Sequence, residues 1–299
     1  MTLVEQQKEE FGKVLQKKFS ACIVDIDGTL TVRGDEYIPA FLLPELAEIA
    51  MHVPMAVCTA RSFQHAYDKL APIFVRARNP EYCQANWLLI CENGCLGYFF
   101  DRQEKKYKEF FREPYPYPEG HREGLFSKLK SKLQGQLDVA FMNQINFIFR
   151  PATKDSPQPD EITRRSHSIA EIVQTEVRLS DPKGLLVVGD SGIGVNVFPY
   201  YGNKERGIVE LAKYIRDHMG LNIGPEAREV VVIGDQPGPL GNDEMFLSGK
   251  YGTPFTVGET HPEHLLPLPV FDGDKIQKGP EATIFLFHKL QFRNDLALH

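Results

Sequence analysis

Short apolar runs that stop at polar residues punctuate the chain. Ala21 to Ile26, interrupted by Asp25, runs into Asp27-Gly28-Thr29. Pro54 to Cys58 runs into Thr59, Trp87 to Cys91 into Glu92-Asn93-Gly94, and Val230 to Ile233 into Gly234-Asp235. Runs this short, bounded by turn residues, predict strands buried on both faces. Between them lie helical patterns. Residues 3–18 alternate charge and apolar groups, with Leu3, Val4, Phe11, Val14 and Leu15 as the packing side. Residues 41–50 carry Pro44 near the first turn, where proline is tolerated. Further helices are predicted over about 62–70 and over 204–219. CLGYFF and KKYKEFF read as a hairpin around Asp101–Glu104. Strand and helix in alternation predict an α/β fold with a mostly parallel sheet.

The pattern changes at 113–120, EPYPYPEG, where three prolines in eight residues favour extended backbone. Beyond this connector comes a helix over about 121–134, strand material in 137–150 and a helix over about 160–177. Two strands then flank Gly189-Asp190-Ser191-Gly192, which is good hairpin-turn chemistry. A second connector, FPYYG at 198–202, leads back to the α/β pattern. The expected organisation is one α/β core, residues 1–112 and 199–299, interrupted by an α+β module of αββαββ order at 113–198. The proline-rich stretch 261–280 reads as a loop. For the apolar segment ATIFLFHKLQF that follows it, the pattern admits helix or strand.

Composition narrows the class. The 299 residues suit two domains, or one with a large insert. Apolar residues at 42% and charged residues at 25% exclude a disordered or fibrous chain. No apolar run approaches the roughly 18–20 residues of a membrane span. The first 18 residues are charged throughout and lack the apolar core of a signal peptide. Thirty-four basic against forty acidic residues, a net charge of −6, argue against nucleic acid as a partner. Five cysteines without an export signal fit reduced thiols and a cytoplasmic location.

The chemistry concentrates where apolar runs end. In a strand, residues i and i+2 share a side, so Asp25 and Asp27 project together, and Gly28 permits a sharp turn after them. Two carboxylates this close call for a cation, most simply Mg²⁺ with oxygen ligands. Phosphoryl transfer fits, with one aspartate as nucleophile and the other as acid/base. The pair alone fits an acidic turn equally well, and three further features shift the balance. Thr59 stands at a strand end before a helix, where a hydroxyl and backbone N–H groups can hold a phosphate oxygen. Lys204 opens a predicted helix, a place the helix dipole disfavours for a cation unless an anion sits beside it. Asp235, with Asn242 and Asp243 after it, supplies a second acidic strand end.

These four segments, DIDGT at 25–29, TAR at 59–61, Lys204 and GD…ND at 234–243, together resemble the motifs of the haloacid dehalogenase superfamily, specifically its Mg²⁺-dependent phosphotransferases. The resemblance implies a Rossmann-like core and, from the place of the insert and its αββαββ order, a cap domain of the C2B type. CENG at 91–94 resembles the ENG of sugar phosphatases and eukaryotic-type phosphomannomutases, which share that cap. It further implies Asp25 as nucleophile and metal ligand, and Asp27 as acid/base with its backbone carbonyl on the metal. Thr59 and Lys204 would bind the transferred phosphoryl group, with Gly28 and Arg61 also at the substrate. Asp235 would be a metal ligand, with Asn242 and Asp243 in or beside the metal shell.

A mutase would hold a second phosphate on the cap with an arginine-flanked motif. Here that region reads FMNQINFIFRP, without an arginine before Asn143. The expected activity is therefore hydrolysis of a small phosphate ester, on a sugar or similar metabolite, with phosphomannomutase-like transfer and a non-catalytic phosphosugar regulator as the alternatives. Polar residues that interrupt apolar cap strands, Asn143, Asn146, Arg150 and Asn196, are the candidates for substrate contact. Asp272-Gly273-Asp274, with no strand before it, reads as a turn rather than a second acidic site, and Gly189-Asp190 as a hairpin turn.

Overall fold

The computed structural model describes residues 1–153, 158–238, 241–261 and 263–293. The chain opens with α1 (Leu3–Val14), capped by Thr2 and Glu5 in a reciprocal capping box. A short strand β1 (Lys18–Phe19) and β2 (Ala21–Val24) follow, then α2 (Leu42–Ala50), β3 (Met55–Cys58), α3 (Phe63–Arg76), α4 (Pro80–Ala85) and β4 (Trp87–Cys91). The hairpin β5 (Leu96–Asp101) and β6 (Lys106–Arg112) completes the first stretch.

The next stretch runs α5 (Glu119–Lys132), β7 (Leu137–Met142), β8 (Phe147–Pro151), α6 (Pro159–Ser180), β9 (Leu186–Asp190) and β10 (Val195–Pro199). The chain returns through α7 (Lys204–Met219), β11 (Val230–Gly234), β12 (Thr253–Thr256), β13 (Leu268–Asp272), β14 (Lys275–Gln277), α8 (Gly279–Lys289) and β15 (Gln291–Phe292).

The large sheet has nine strands in the order β14-β13-β12-β11-β2-β3-β4-β5-β6. Pairs from β13 across to β4 are parallel, and antiparallel strands sit at both margins. Strand alternation divides its side chains between two layers. Ala21, Ile23, Ala56, Val230 and Val232 meet Ile208, Leu211 and Ile215 of α7 on one face. Cys22, Val24, Val57, Val231 and Ile233 meet Phe11, Leu46, Leu70, Ile73 and Leu286 on the other. Each fully buried aliphatic or aromatic side chain contributes roughly 1.5–3 kcal/mol of transfer free energy, so this two-sided core holds the strand ends rigidly in line.

The small sheet is antiparallel in the order β7-β8-β10-β9. Phe147, Phe149, Val195 and Val197 point to α5 and α6, where they pack on Leu125, Leu129, Ile169 and Val173. The alternate residues Ile148, Arg150 and Asn196 face the other way.

Three expectations change. The stretch 261–280 is not a loop: after residue 267 it forms β13 and β14, which extend the large sheet, and Asp272–Asp274 closes their hairpin, so a strand does precede that turn. ATIFLFHKLQF is mostly helix, because Pro280 starts α8 and Ala282, Thr283, Leu286 and Phe287 bury at helical spacing. The helix expected to stop near residue 70 continues to Arg76 through Pro72. Pro72 lies on the exposed face, as does Asp68, so water can satisfy the Asp68 carbonyl that the proline leaves without an amide partner.

Candidate active site

Four adjacent parallel strands, β11, β2, β3 and β4, end at the same rim. The residue after each end is polar: Asp235, Asp25, Thr59 and Glu92. Asp25, Asp235 and Asp243 bring one carboxylate oxygen each to within 4.8 Å of one another, and all three residues are buried. Thr59, 1% exposed, lines the same cavity as Asp25 and Asp235.

Lys204 is the first residue of α7, whose N-cap is the Asn203 side chain. Its ammonium donates to Asp25 Oδ1 at 2.7 Å and to Asp243 Oδ1 at 2.6 Å. Burial alone would lower its pKa, but Asp243 and Asp25 hold it above the usual lysine value. Three buried carboxylates thus meet one lysine. Burial pushes Asp25 up to about 7, against the pull of Lys204 and with the push of Asp243. Burial, then Asp243 and Asp25, push Asp235 well above the usual carboxylate range.

This donor set suits a hard divalent cation such as Mg²⁺. Both oxygens of Asp243 are already engaged, Oδ1 by Lys204 and Oδ2 by the amides of Asp235 and Gln236 at 3.0 and 3.3 Å. Asp25 Oδ2 and the Asp235 carboxylate carry no hydrogen bond among the described residues. Gly28 makes room for the latter. Its φ is +80°, and a Cβ there would collide with Asp235 Oδ2.

Asp27 does not join the carboxylate group. Arg61 grips it through two parallel bonds, Nε to Oδ2 at 3.0 Å and a terminal nitrogen to Oδ1 at 2.7 Å. Burial pushes the Asp27 carboxyl up, but the guanidinium outweighs it and holds it below the usual range. Asp27 is therefore ionised in this arrangement.

The outward residues of the small sheet roof these groups. A cavity of about 60 Å³ is enclosed by Asp25, Asp27, Thr59, Arg61 and Asp235 below and by Arg150, Asn196 and the Ser191–Gly194 turn above. Asn196 Oδ1 is buried without a hydrogen-bond partner. Asn242 lines this cavity too. A neighbouring cleft of about 740 Å³ shares Arg61, Ile148 and Arg150 with it and adds Tyr37, His65, Lys69, Phe141 and Asn143. Asn143 thus lies along the cleft and not against the carboxylates. Asn146 is turned to the large sheet, donating to Ala60 O at 2.9 Å.

Sequence reasoning missed Arg33, Gln236 and Ser191. Arg33 lies 3.9 Å from Asp235 Oδ2 and donates to Ser191 O at 3.1 Å, and Gln236 donates to the same carbonyl at 2.9 Å. It named Glu92 only within a motif. Arg33, Ser191 and Gln236 lie in loops, where no local signal marks them, and Glu92 follows the apolar run of β4 but nothing local points to its partners.

No protein-family model matches the chain, and no curated protein sequence matches it. Solved structures do. An IMP-bound variant of the Plasmodium falciparum IMP-nucleotidase superposes with a TM-score of 0.60 at 13% identity, over 95% of this chain and 69% of that one. The N-terminally truncated IMP-bound form gives 0.58 at 14%, over 96% and 70%. An Aspergillus fumigatus trehalose-6-phosphate phosphatase gives 0.48 at 12%, over 96% and 95%. The likeness to the IMP-nucleotidase shows a shared fold, a mixed α/β chain built on a largely parallel central sheet.

Proposed function

We propose that the protein is a Mg²⁺-dependent phosphate monoester hydrolase that works through an aspartyl phosphate on a phosphorylated sugar or similar small metabolite. The observation that carries this reading is the convergence of Asp25, Asp235 and Lys204 beneath a roofed polar cavity. Residues 113–198 would serve as the cap, with 113–120 and 198–202 as its hinges.

Asp25 and Asp235 would hold the cation, and Asp243 would orient Lys204. Mg²⁺, when bound, offsets charge on the phosphoryl oxygens. One carboxylate oxygen of Asp25 would form a bond to phosphorus as the bond to the ester oxygen breaks, and Asp27 would give that oxygen its proton. In the second half Asp27 takes a proton from water, whose oxygen attacks phosphorus and frees Asp25. The Arg61 clamp favours ionised Asp27, the form the second half needs. An arriving phosphate dianion competes for Arg61, which releases Asp27 to carry a proton in the first half. Lys204 and Thr59 hold the equatorial oxygens, and the roof excludes water.

The wide cleft gives a second reading for the substrate, a nucleoside monophosphate. The His65 and Phe141 rings lie 6.0 Å apart along it, a surface suited to a flat base, and the IMP-nucleotidase likeness agrees. Phosphate release with Mg²⁺ across sugar phosphates and nucleoside monophosphates decides between the two. A mutase would require a bisphosphorylated activator and liberate little phosphate. Ligand binding without turnover of any ester would establish a regulator and overturn the hydrolase.

A further inference from the structure

Three successive residues after β4 adopt left-handed backbone: Glu92 at φ +52°, Asn93 at +62° and Gly94 at +95°. Such conformations are uncommon for residues with a Cβ and persist where their surroundings enforce them. Gly94 packs so tightly on Asn203 that a Cβ would stand 2.1 Å from the Asn203 carbonyl oxygen, directly before Lys204. The strained turn therefore abuts the start of α7.

Its polar groups reach two ways. Toward the large sheet, Glu92 N–H donates to Arg61 O and Asn93 N–H to Thr59 O, both at 2.9 Å. Toward the roof, the Glu92 carboxylate, fully buried, accepts three consecutive backbone N–H groups: Gln144 at 3.2 Å, Ile145 at 2.6 Å and Asn146 at 3.1 Å. That turn in its own right sends the Asn146 side chain to Ala60 O. All three carbonyls of the 59–61 loop are thus held, two by the strained turn and the middle one by the roof.

We propose that Glu92 is a positioning residue: by seating the 144–146 turn it places Asn146 on Ala60 and fixes the loop from which Thr59 and Arg61 reach the phosphate and Asp27. Closure of the roof and alignment of the loop are then one event. An open roof leaves Ala60 O unpaired and the loop held at two points instead of three. This rests on the hydrolase reading only for its kinetic consequence.

Amide hydrogen exchange on the full chain tests it, comparing wild type with Glu92→Gln and Asn146→Ala. The Gln variant removes one acceptor facing the 144–146 amides, and the Ala variant removes the bond to Ala60 together with the one that Asn146 Oδ1 accepts from Asn143. In both, the amides of Arg61, Glu92 and Asn93 are expected to exchange about tenfold faster, the size of one lost hydrogen bond. Val231 and Val232 in the central sheet should keep their protection. Where an ester is turned over, kcat should fall by roughly 10–100-fold with KM within about twofold. Unchanged protection at Arg61 in Asn146→Ala overturns the proposal. Loss spread evenly over the sheet does so too, since that is what a merely structural carboxylate gives. If wild type hydrolyses no ester, the function proposed above fails while the exchange data still decide this one.

Discussion

The carboxylate of Asp235 fills the space in which Gly28 would carry a side chain: a Cβ there would lie 2.1 Å from Oδ2. The glycine of the first acidic strand end is thus shaped by the acid of the second, 207 positions later in the numbering. Gly28→Ala meets both the collision and the penalty of φ +80°. Urea unfolding should show a loss of about 2–4 kcal/mol. Calorimetric titration should show weaker Mg²⁺ binding as Asp235 is displaced. A variant as stable as wild type with full metal affinity would contradict this packing.

Lys204→Met leaves Asp25 and Asp243 buried without their shared counter-charge. Removing one partner of a buried ion pair costs about 3–5 kcal/mol. Denaturation of the metal-free protein should show that loss, and turnover should vanish. A change below about 1 kcal/mol would mean that solvent reaches the cluster.

Asp235→Asn should act in two opposite directions. Without divalent cation it removes a buried carboxylate held up by burial, Asp243 and Asp25, so the variant should melt at a higher temperature than wild type. With Mg²⁺ the order should reverse. Wild type gains about 2.7 kcal/mol at a hundredfold excess over Kd, and the variant gains little. Equal Mg²⁺ shifts in both proteins would remove Asp235 from the ligand set.

Arg61→Lys keeps the charge but loses the two-pronged grip on Asp27. Steady-state kinetics should show kcat lower by about 10–100-fold with smaller change in KM. Undiminished kcat would mean that the fork has no part in placing Asp27.

Asp181 accepts from the Tyr117 hydroxyl and from the amides of Leu185 and Leu186. Burial pushes its pKa up, but these donors outweigh it and leave it below the usual value. A depressed carboxyl stabilises the fold above its unfolded pKa, about 4, and that stability is lost as pH falls through the folded value. Asp181→Asn should therefore destabilise the protein more at pH 7 than near pH 2. An equal deficit at both pH values would refute the assignment.

The parts of the site that announce themselves in sequence are those built by one strand and its next residue. Val24-Asp25, Cys58-Thr59 and Gly234-Asp235 can be read because a buried strand has a fixed exit point, and adjacent parallel strands share it. Arg150 and Asn196 are readable for a related reason: each breaks an apolar alternation, between Phe149 and Pro151 and between Val195 and Val197, and so must face away from the helices. The Glu92 contacts are silent because its partners are backbone amides more than fifty residues away, which any residue type supplies. Strands β13 and β14 are silent because Pro267, Pro269 and Pro280, within and around them, mimic a loop. Pro269 is accommodated within β13, which pairs with both β12 and β14.

Only Tyr200 to Asn203 separates the end of β10 from Lys204. So short a tether makes the roof a lever with the lysine at its fulcrum. If the small sheet swings on the hinges proposed above, the motion would reach the first turn of α7, where the ammonium that balances Asp25 and Asp243 sits. Slack spliced into those four positions would let the two halves move out of step, with every contact residue still in the chain.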